Sequence, residues 1–281
     1  MTGGSGFVGA ATVRALRTLG LTCVAASRQP DITLAPIAHL DVTDHRSWEA
    51  FERDLRGQRV TGIVHLAASY DVVENTRGAC EVVDAARRWA VPRVVVASTI
   101  GVYGGVPSPF REDSPLPLET PHGVPAAKKA LELLAAHAPT EVVVARLAAV
   151  WGPGGNPDSR FFALPRLVHA AARGLASTAR EGDAIDLIHV DDCGRALALL
   201  QTAPTLAHRV YNVGSGRPTA NREVADAVRT ARPAADILLE SGAATPPAWM
   251  DVQRLGDEGF EPRRELVEGV ADYVRQAAAQ V

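Results

Sequence analysis

Lysine is nearly missing from this chain of 281 residues: of 29 basic side chains only Lys128 and Lys129 are lysines, and the rest are arginines. Where arginine has replaced lysine so freely, a lysine that persists marks a place that needs a compact ammonium charge. An excess of one sign of charge is also lacking, with 32 acidic residues against 29 basic and a net charge of −3. That balance excludes a protein built to neutralise a nucleic-acid backbone. Cysteine is scarce, and Cys23, Cys80 and Cys193 lie far apart with no C-x-x-C pair. We therefore read them as buried free thiols rather than as a disulfide framework or a zinc site. The eight histidines show no H-E-x-x-H spacing, which argues against a metal centre. No uninterrupted apolar run is long enough to span a bilayer, and residues 1–6 have neither the basic flank nor the apolar core of a secretory leader. A cytoplasmic protein with no nucleic-acid or membrane partner is expected.

What is present is an ordinary globular composition, 47% hydrophobic and 22% charged, in a length that allows one enlarged α/β domain or two lobes. Short β-branched runs alternate with amphipathic stretches, the βαβ pattern of a parallel sheet. Helices are predicted over 10–19, 45–55, 77–89 and 125–137, and strands over 22–26, 62–66, 94–97 and 141–150. Beyond Val150 a turn-rich passage, 151–157, leads to a helix near 162–173, a strand over 186–190, a helix over 192–200 and a strand over 210–213. The expected architecture is a doubly wound parallel sheet of Rossmann type, formed by 1–150 and 186–213, with a smaller interwoven lobe from 151–185 and 214–281.

Gly3, Gly6 and Gly9 recur every third residue at the start of the first helix, where backbone N–H groups can face a pyrophosphate. About 20 residues further on, where the ribose is read, stand Ser27 and Arg28. No carboxylate is there to bond the 2′-hydroxyl of NAD, and a guanidinium suits a 2′-phosphate, so NADP is the preferred cofactor and NAD the alternative. Arg28 also fits a plain solvated loop. Only Met1 and Thr2 precede the glycines, where a buried strand of about 4–8 residues is expected. The first strand is read as truncated.

The segments Thr2–Gly9 (TGGSGFVG), Leu40–Asp44 (LDVTD), Val64–Ala68 (VHLAA), Ala97–Gly104 (ASTIGVYG), Asp186–Asp192 (DLIHVDD) and Tyr211–Gly216 (YNVGSG) resemble, in order, an extended short-chain dehydrogenase/reductase of the NAD-dependent epimerase/dehydratase type. The resemblance implies dinucleotide contacts from Gly3, Ser5, Gly6, Phe7, Val8 and Gly9. It implies that Asp41 and Val42 flank the adenine and that Leu66, Ala67 and Ala68 line the dinucleotide. Thr99 falls where such enzymes orient the substrate oxygen, and Lys128 where they hold the nicotinamide ribose, with Lys129 as a solvated neighbour. Homodimers through a two-helix face are common among them. His189, Asp191 and Asp192 match a structural strand-to-helix junction.

Two departures stand out. Four residues before Lys128 these enzymes carry a tyrosine as general acid/base, and here the position is Val124, which transfers no proton. His122 and Tyr70 are the candidate replacements, each with a structural alternative: a surface loop for His122, a half-buried packing aromatic for Tyr70. Tyr103 is expected to pack in the turn after Thr99. Ala149 stands where nucleotide-sugar enzymes often place an asparagine, while Trp151, Phe161 and Phe162 would serve an apolar pocket or a core. The leading expectation is an NAD(P)-dependent oxidoreductase or epimerase acting on a sugar-like or secondary-metabolite alcohol or ketone. A redox-neutral cyclase, lyase or isomerase, and a non-catalytic dinucleotide-binding protein, are the alternatives.

Overall fold

The computed structural model describes residues 1–29, 36–55, 57–120 and 122–280. In chain order the first part comprises α1 (Phe7–Thr18), β1 (Ala25–Ser27), β2 (Ile37–His39), α2 (His45–Leu55), β3 (Ile63–His65), α3 (Val72–Arg88), β4 (Arg93–Thr99), a 3₁₀ turn (Ile100–Tyr103), α4 (Gly123–Ala136) and β5 (Glu141–Leu147). There follow β6 (Ala149–Trp151), α5 (Leu164–Arg173), β7 (Ser177–Arg180), β8 (Ala184–His189), α6 (Val190–Thr202), β9 (Val210–Val213) and β10 (Pro218–Ala220). The chain closes with α7 (Asn221–Ala231), β11 (Ile237–Glu240), α8 (Gln253–Asp257) and α9 (Leu266–Ala278).

The main sheet is parallel throughout. β1 pairs with β2, while β3, β4, β5 and β9 lie side by side, and Thr2 joins the two groups through bridges to Ala26 and His65. Successive strand residues point to opposite faces, and each face has its own core. Ala25, Val64, Val95 and Val143 meet Val13 of α1 and Leu197 of α6 on one side. Ala26, Ile63, Val94 and Val142 meet Phe51, Val82 and Leu131 of α2, α3 and α4 on the other. This is the expected doubly wound sheet, its strands apolar in near-continuous runs because both faces are covered.

The run 141–150, predicted as one strand, divides at Ala148. β5 stays in the main sheet, Ala148 donates its N–H to the Val213 carbonyl at 2.9 Å, and β6 joins a second sheet of order β10-β8-β6. There Trp151, Leu167, Val224, Val270 and Tyr273 build a third core. α3 starts at Val72 rather than Arg77, because the Asp71 carboxylate caps it by accepting from the Glu74 N–H at 2.8 Å, and Glu74 adds negative charge to the first turn. Cys23 and Cys193 are buried as expected, but Cys80 is exposed on α3. Among the described residues no helix is long and apolar enough to cross a membrane, and no group of side chains could hold a metal ion.

Candidate active site

The ends of β1 and β3 and the start of α1 enclose a cavity of about 850 Å³. Its wall brings together Gly3, Ser5, Gly6, Ser27, Arg28, Asp41, Val42, Leu66, Ala67 and Ala68, residues drawn from four separate stretches of sequence. The glycines make this possible. Gly3 has φ +69°, and a Cβ there would lie 2.6 Å from the Ala67 nitrogen; a Cβ on Gly9 would lie 2.0 Å from the Gly3 carbonyl oxygen. The loop thus packs backbone to backbone, leaving α1 to begin at the cavity with no side-chain cap and no carboxylate in its first turn. An anion can take the free N–H groups.

Ser5 donates from its hydroxyl to Ser27 Oγ at 2.7 Å, tying the glycine loop to the end of β1. Arg28 is exposed on the wall, and Asp41 opposite accepts from the Thr43 N–H at 2.9 Å and the Thr43 hydroxyl at 2.8 Å. The Thr43 backbone bond, aided by the Arg28 charge, holds the Asp41 carboxyl below its usual range. Asn75 of α3 fixes the strip after β3, accepting from the Ser69 N–H at 3.0 Å and donating to the Ser69 carbonyl. Phe7 and Val8 are not in the wall. Phe7 instead lies against Gly154 and Gly155 of the second lobe, and the Val8 carbonyl accepts from Thr12.

At the inner end sits a residue that sequence reasoning passed over. His65 lines the cavity, is 2% exposed, and shares a 2.7 Å hydrogen bond between its Nδ1 and Thr2 Oγ1. Burial, reinforced by the charge of Lys128, lowers its pKa to about 3. Only its place in the strand, followed by Leu66-Ala67-Ala68, could have drawn attention to it. Because the folded pKa lies below the unfolded value near 6.5, the neutral ring's contribution is intact above pH 6.5 and is lost as pH falls towards 3. We expect His65→Gln to flatten the acid limb of stability against pH, by at most about 1.4 kcal/mol per pH unit. Urea titrations between about pH 4 and pH 7 check this, and parallel curves for both proteins would contradict it.

The two lysines have opposite fates. Lys129 donates from Nζ to the carbonyls of Pro117 and Glu119, so it ties down a loop rather than floating in solvent. Lys128 is 7% exposed, and burial alone brings its pKa down to about 8. Its charge adds to the burial that lowers the His65 pKa, but Lys128 is not part of the cavity wall. Thr99 closes β4, its Oγ1 accepting from the Gly101 N–H at 3.2 Å. The Cβ position of Gly101 lies 3.0 Å from Pro125 Cγ and 3.5 Å from Thr99 Oγ1, so Thr99 abuts the first turn of α4, one turn ahead of Lys128.

The candidate replacements for the missing tyrosine differ. Tyr70 is 76% exposed, neither packed nor enclosed, and its neighbour Asp71 is engaged as the α3 cap. His122 is exposed at the N-terminal boundary of α4, with its ring 5.5 Å from that of Phe161 in the second lobe. Tyr103 is fully buried, donating to Asn212 Oδ1 and accepting from Arg146, each at 2.7 Å, and stacked on Phe110. Trp151 is core, edge-on to His189. His189 accepts from the Asp191 N–H and Asp192 from the Arg263 and Arg264 N–H groups, so that trio is structural.

Residues 1–214 match the model of the NAD dependent epimerase/dehydratase family. The chain belongs to this family. A UDP-glucose 4-epimerase of Azospirillum brasilense is 30% identical over 98% of this chain and 84% of its own length. A dTDP-glucose 4,6-dehydratase of Streptomyces griseus is 29% identical over 95% and 84%. The crystal structure of a Thermus thermophilus UDP-glucose 4-epimerase in complex with NAD superimposes with a TM-score of 0.81 at 26% identity, covering 100% of this chain and 98% of that one. The likeness therefore extends through the second lobe, and it agrees with the resemblance carried by the sequence motifs.

Proposed function

We propose that the cavity binds a nicotinamide dinucleotide, NADP in preference to NAD, and that the enzyme transforms a sugar-like or secondary-metabolite alcohol or ketone. The observation that carries this reading is the glycine loop, packed backbone to backbone against Ala67 with the uncapped start of α1 opening on the cavity. The glycine cradle and the uncapped start of α1 fit a pyrophosphate, and Arg28 beside Ser27 fits a 2′-phosphate. When bound, the dinucleotide supplies hydride exchange at the substrate carbon. Lys128 holds the nicotinamide ribose, Thr99 holds the substrate oxygen, and Val124 leaves proton transfer to another group. His122, at the N-terminal boundary of α4 with its ring 5.5 Å from that of Phe161, and Tyr70, whose backbone lies beside Gly123 of the same helix, are the candidates for that task, and His122 is the first to test.

The relatives named above act on nucleotide-linked glucose, and that class is the first to test. Ala149 lies in β6, paired with Leu187 and 9% exposed, and its methyl cannot bond a diphosphate. The test is incubation with NADP(H) or NAD(H) and a panel of nucleotide sugars and free polyols, with products read by mass and the nicotinamide by its absorbance. We expect His122→Ala to cut turnover by about 10²-fold or more while leaving dinucleotide affinity unchanged. Unchanged turnover in that variant removes His122 from the mechanism. Val124 also favours a second reading, a redox-neutral isomerase or lyase, and product formation with no change in absorbance would select it.

A further inference from the structure

Four residues beyond Lys128, on the same helix α4, stands a carboxylate, Glu132. Side chains at that spacing share a helix face, and the glutamate leans back towards the turn that carries the lysine. An ammonium so placed is expected to pair with the carboxylate. It does not. Among the described residues Lys128 makes no hydrogen bond or ion pair, and burial alone moves its pKa. Its Nζ is not sealed in either, because the fully enclosed side-chain nitrogen or oxygen without a partner, among the described residues, is Gln201 Oε1. Lys128 is therefore an unpaired cation that reaches accessible space.

Glu132 is held elsewhere. Arg146 of β5 donates from Nε to both carboxylate oxygens, at 3.1 and 3.2 Å, and from Nη2 to Oε2 at 2.6 Å, while the Ser98 hydroxyl donates to Oε1 at 2.5 Å. Arg146 and Ser98 are buried, so these bonds are made away from water, where a guanidinium matched to a carboxylate is strong. The guanidinium is fixed from elsewhere too: Nη1 donates to the Tyr103 hydroxyl at 2.7 Å and to the Glu112 carbonyl at 3.2 Å, and the guanidinium carbon lies 4.9 Å from the centre of the Tyr103 ring. The other titratable groups packed around α4 are engaged, neutral or further along the helix. Arg93 of β4 bonds Glu141 of β5, and His65 of β3, with its pKa lowered to about 3, is uncharged at neutral pH. Cys80, Asp84 and Arg87 of α3 share a surface hollow with Leu133, Leu134 and His137, beyond Glu132. Glu132 is the carboxylate that helix spacing offers to Lys128, and Arg146 occupies it.

We propose that Arg146 is a positioning residue: by occupying Glu132 it keeps the Lys128 ammonium unpaired and open to a ligand oxygen. The inference rests on the reading of Lys128 as the group that holds the nicotinamide ribose, and adds how the chain keeps it free for that task. An ammonium paired with Glu132 would turn its donors inward and present fewer to a hydroxyl. The same network ties Ser98, the residue before Thr99, to α4 one turn beyond Lys128, so the strand and the helix that carry these two residues keep a fixed spacing. Without the guanidinium, Glu132 becomes a carboxylate shielded from water with no cation, and Lys128 is the cation on its own helix face.

Two lysines in the whole chain make the test direct. Protein isotope-labelled at the lysine Cε gives two resonances, assigned with Lys129→Arg, and the Lys128 titration midpoint is read by NMR on the ligand-free protein, at about 8 in the wild type. Arg146→Met is expected to raise that midpoint by about one pH unit or more, an about tenfold gain in proton affinity, because Glu132 turns to the ammonium. Arg146→Gln, which keeps neutral hydrogen bonds to Glu132 and Tyr103, should move it the same way and decides the matter if the methionine variant does not fold. Adding Glu132→Gln to Arg146→Met should return the midpoint to its wild-type place. An unmoved midpoint in the folded single variant overturns the proposal, and so does a rise that persists in the double variant, which would reflect loosened packing around α4. NADP⁺ affinity is measured alongside: a wild-type protein that binds no dinucleotide refutes the dinucleotide reading, whereas the Lys128 midpoint decides the role of Arg146.

Discussion

Replacing Lys128 by methionine is expected to make the protein more stable and nearly inactive. The lysine's pKa is brought down from 10.5 to about 8 by burial, which means that the folded protein carries the ammonium at a cost of about 3 kcal/mol at neutral pH. Methionine keeps the length and apolar contact of the stem and removes that cost. Turnover should fall by about 10²- to 10⁴-fold, the range for losing a group that acts on the reacting atoms or positions them. The pH dependence gives a second readout. Because the folded pKa lies below the unfolded one, wild-type stability rises relative to the variant as pH goes from about 8 to 10.5, closing the gap between them. Lys128→Arg should not restore activity even in this arginine-rich chain, since guanidinium is bulkier, planar and permanently charged. Denaturant titrations at about pH 7 and pH 10, with turnover at neutral pH, check the prediction; a destabilised but active Lys128→Met protein would contradict it.

The second large effect is expected at Gly9. A Cβ there would fall 2.0 Å from the Gly3 carbonyl oxygen and 2.9 Å from the Gly4 Cα, both backbone atoms of the glycine loop. Neither can swing aside as a side chain tip would, so α1 and the loop must separate. We expect Gly9→Ala to cost about 3 kcal/mol of stability and to weaken dinucleotide binding at least about tenfold. Gly256→Ala is the control, because a Cβ on Gly256 meets nothing within 4 Å. Thermal melts and fluorescence titration on the two variants measure the difference, and equal behaviour would mean that the loop is looser than its geometry indicates.

Much of this fold is legible in the residue pattern, and its gaps have physical causes. α2, with Trp48 and Phe51 buried on one face, and β9, with β-branched ends around Tyr211, have the predicted limits. β2, β7, β10 and β11 are strands of 3 or 4 residues, too short for periodicity to reveal before pairing partners are known. The break at Ala148 is equally hidden, because the residues on both sides are apolar whether the chain stays in one sheet or crosses to another. The start of α3 is legible in the residues themselves, because Asp71 and Glu74 have the spacing of a helix cap. For the cavity, glycine spacing and the two strand ends pointed to most of the wall. The depth of Lys128 is not legible, since burial of a helical lysine depends on the strands and helices that pack around α4.

The proposed seat of the nicotinamide dinucleotide is the cavity lined by Gly3, Arg28, Asp41 and Ala67. Calorimetric titration of the purified chain with NADP⁺ and NAD⁺ in parallel, on protein first shown to be folded by circular dichroism, tests it most directly. Saturable binding at one site per chain is expected, tighter for NADP⁺, with the preference removed by Arg28→Ala. No binding of either dinucleotide to the folded chain would contradict it.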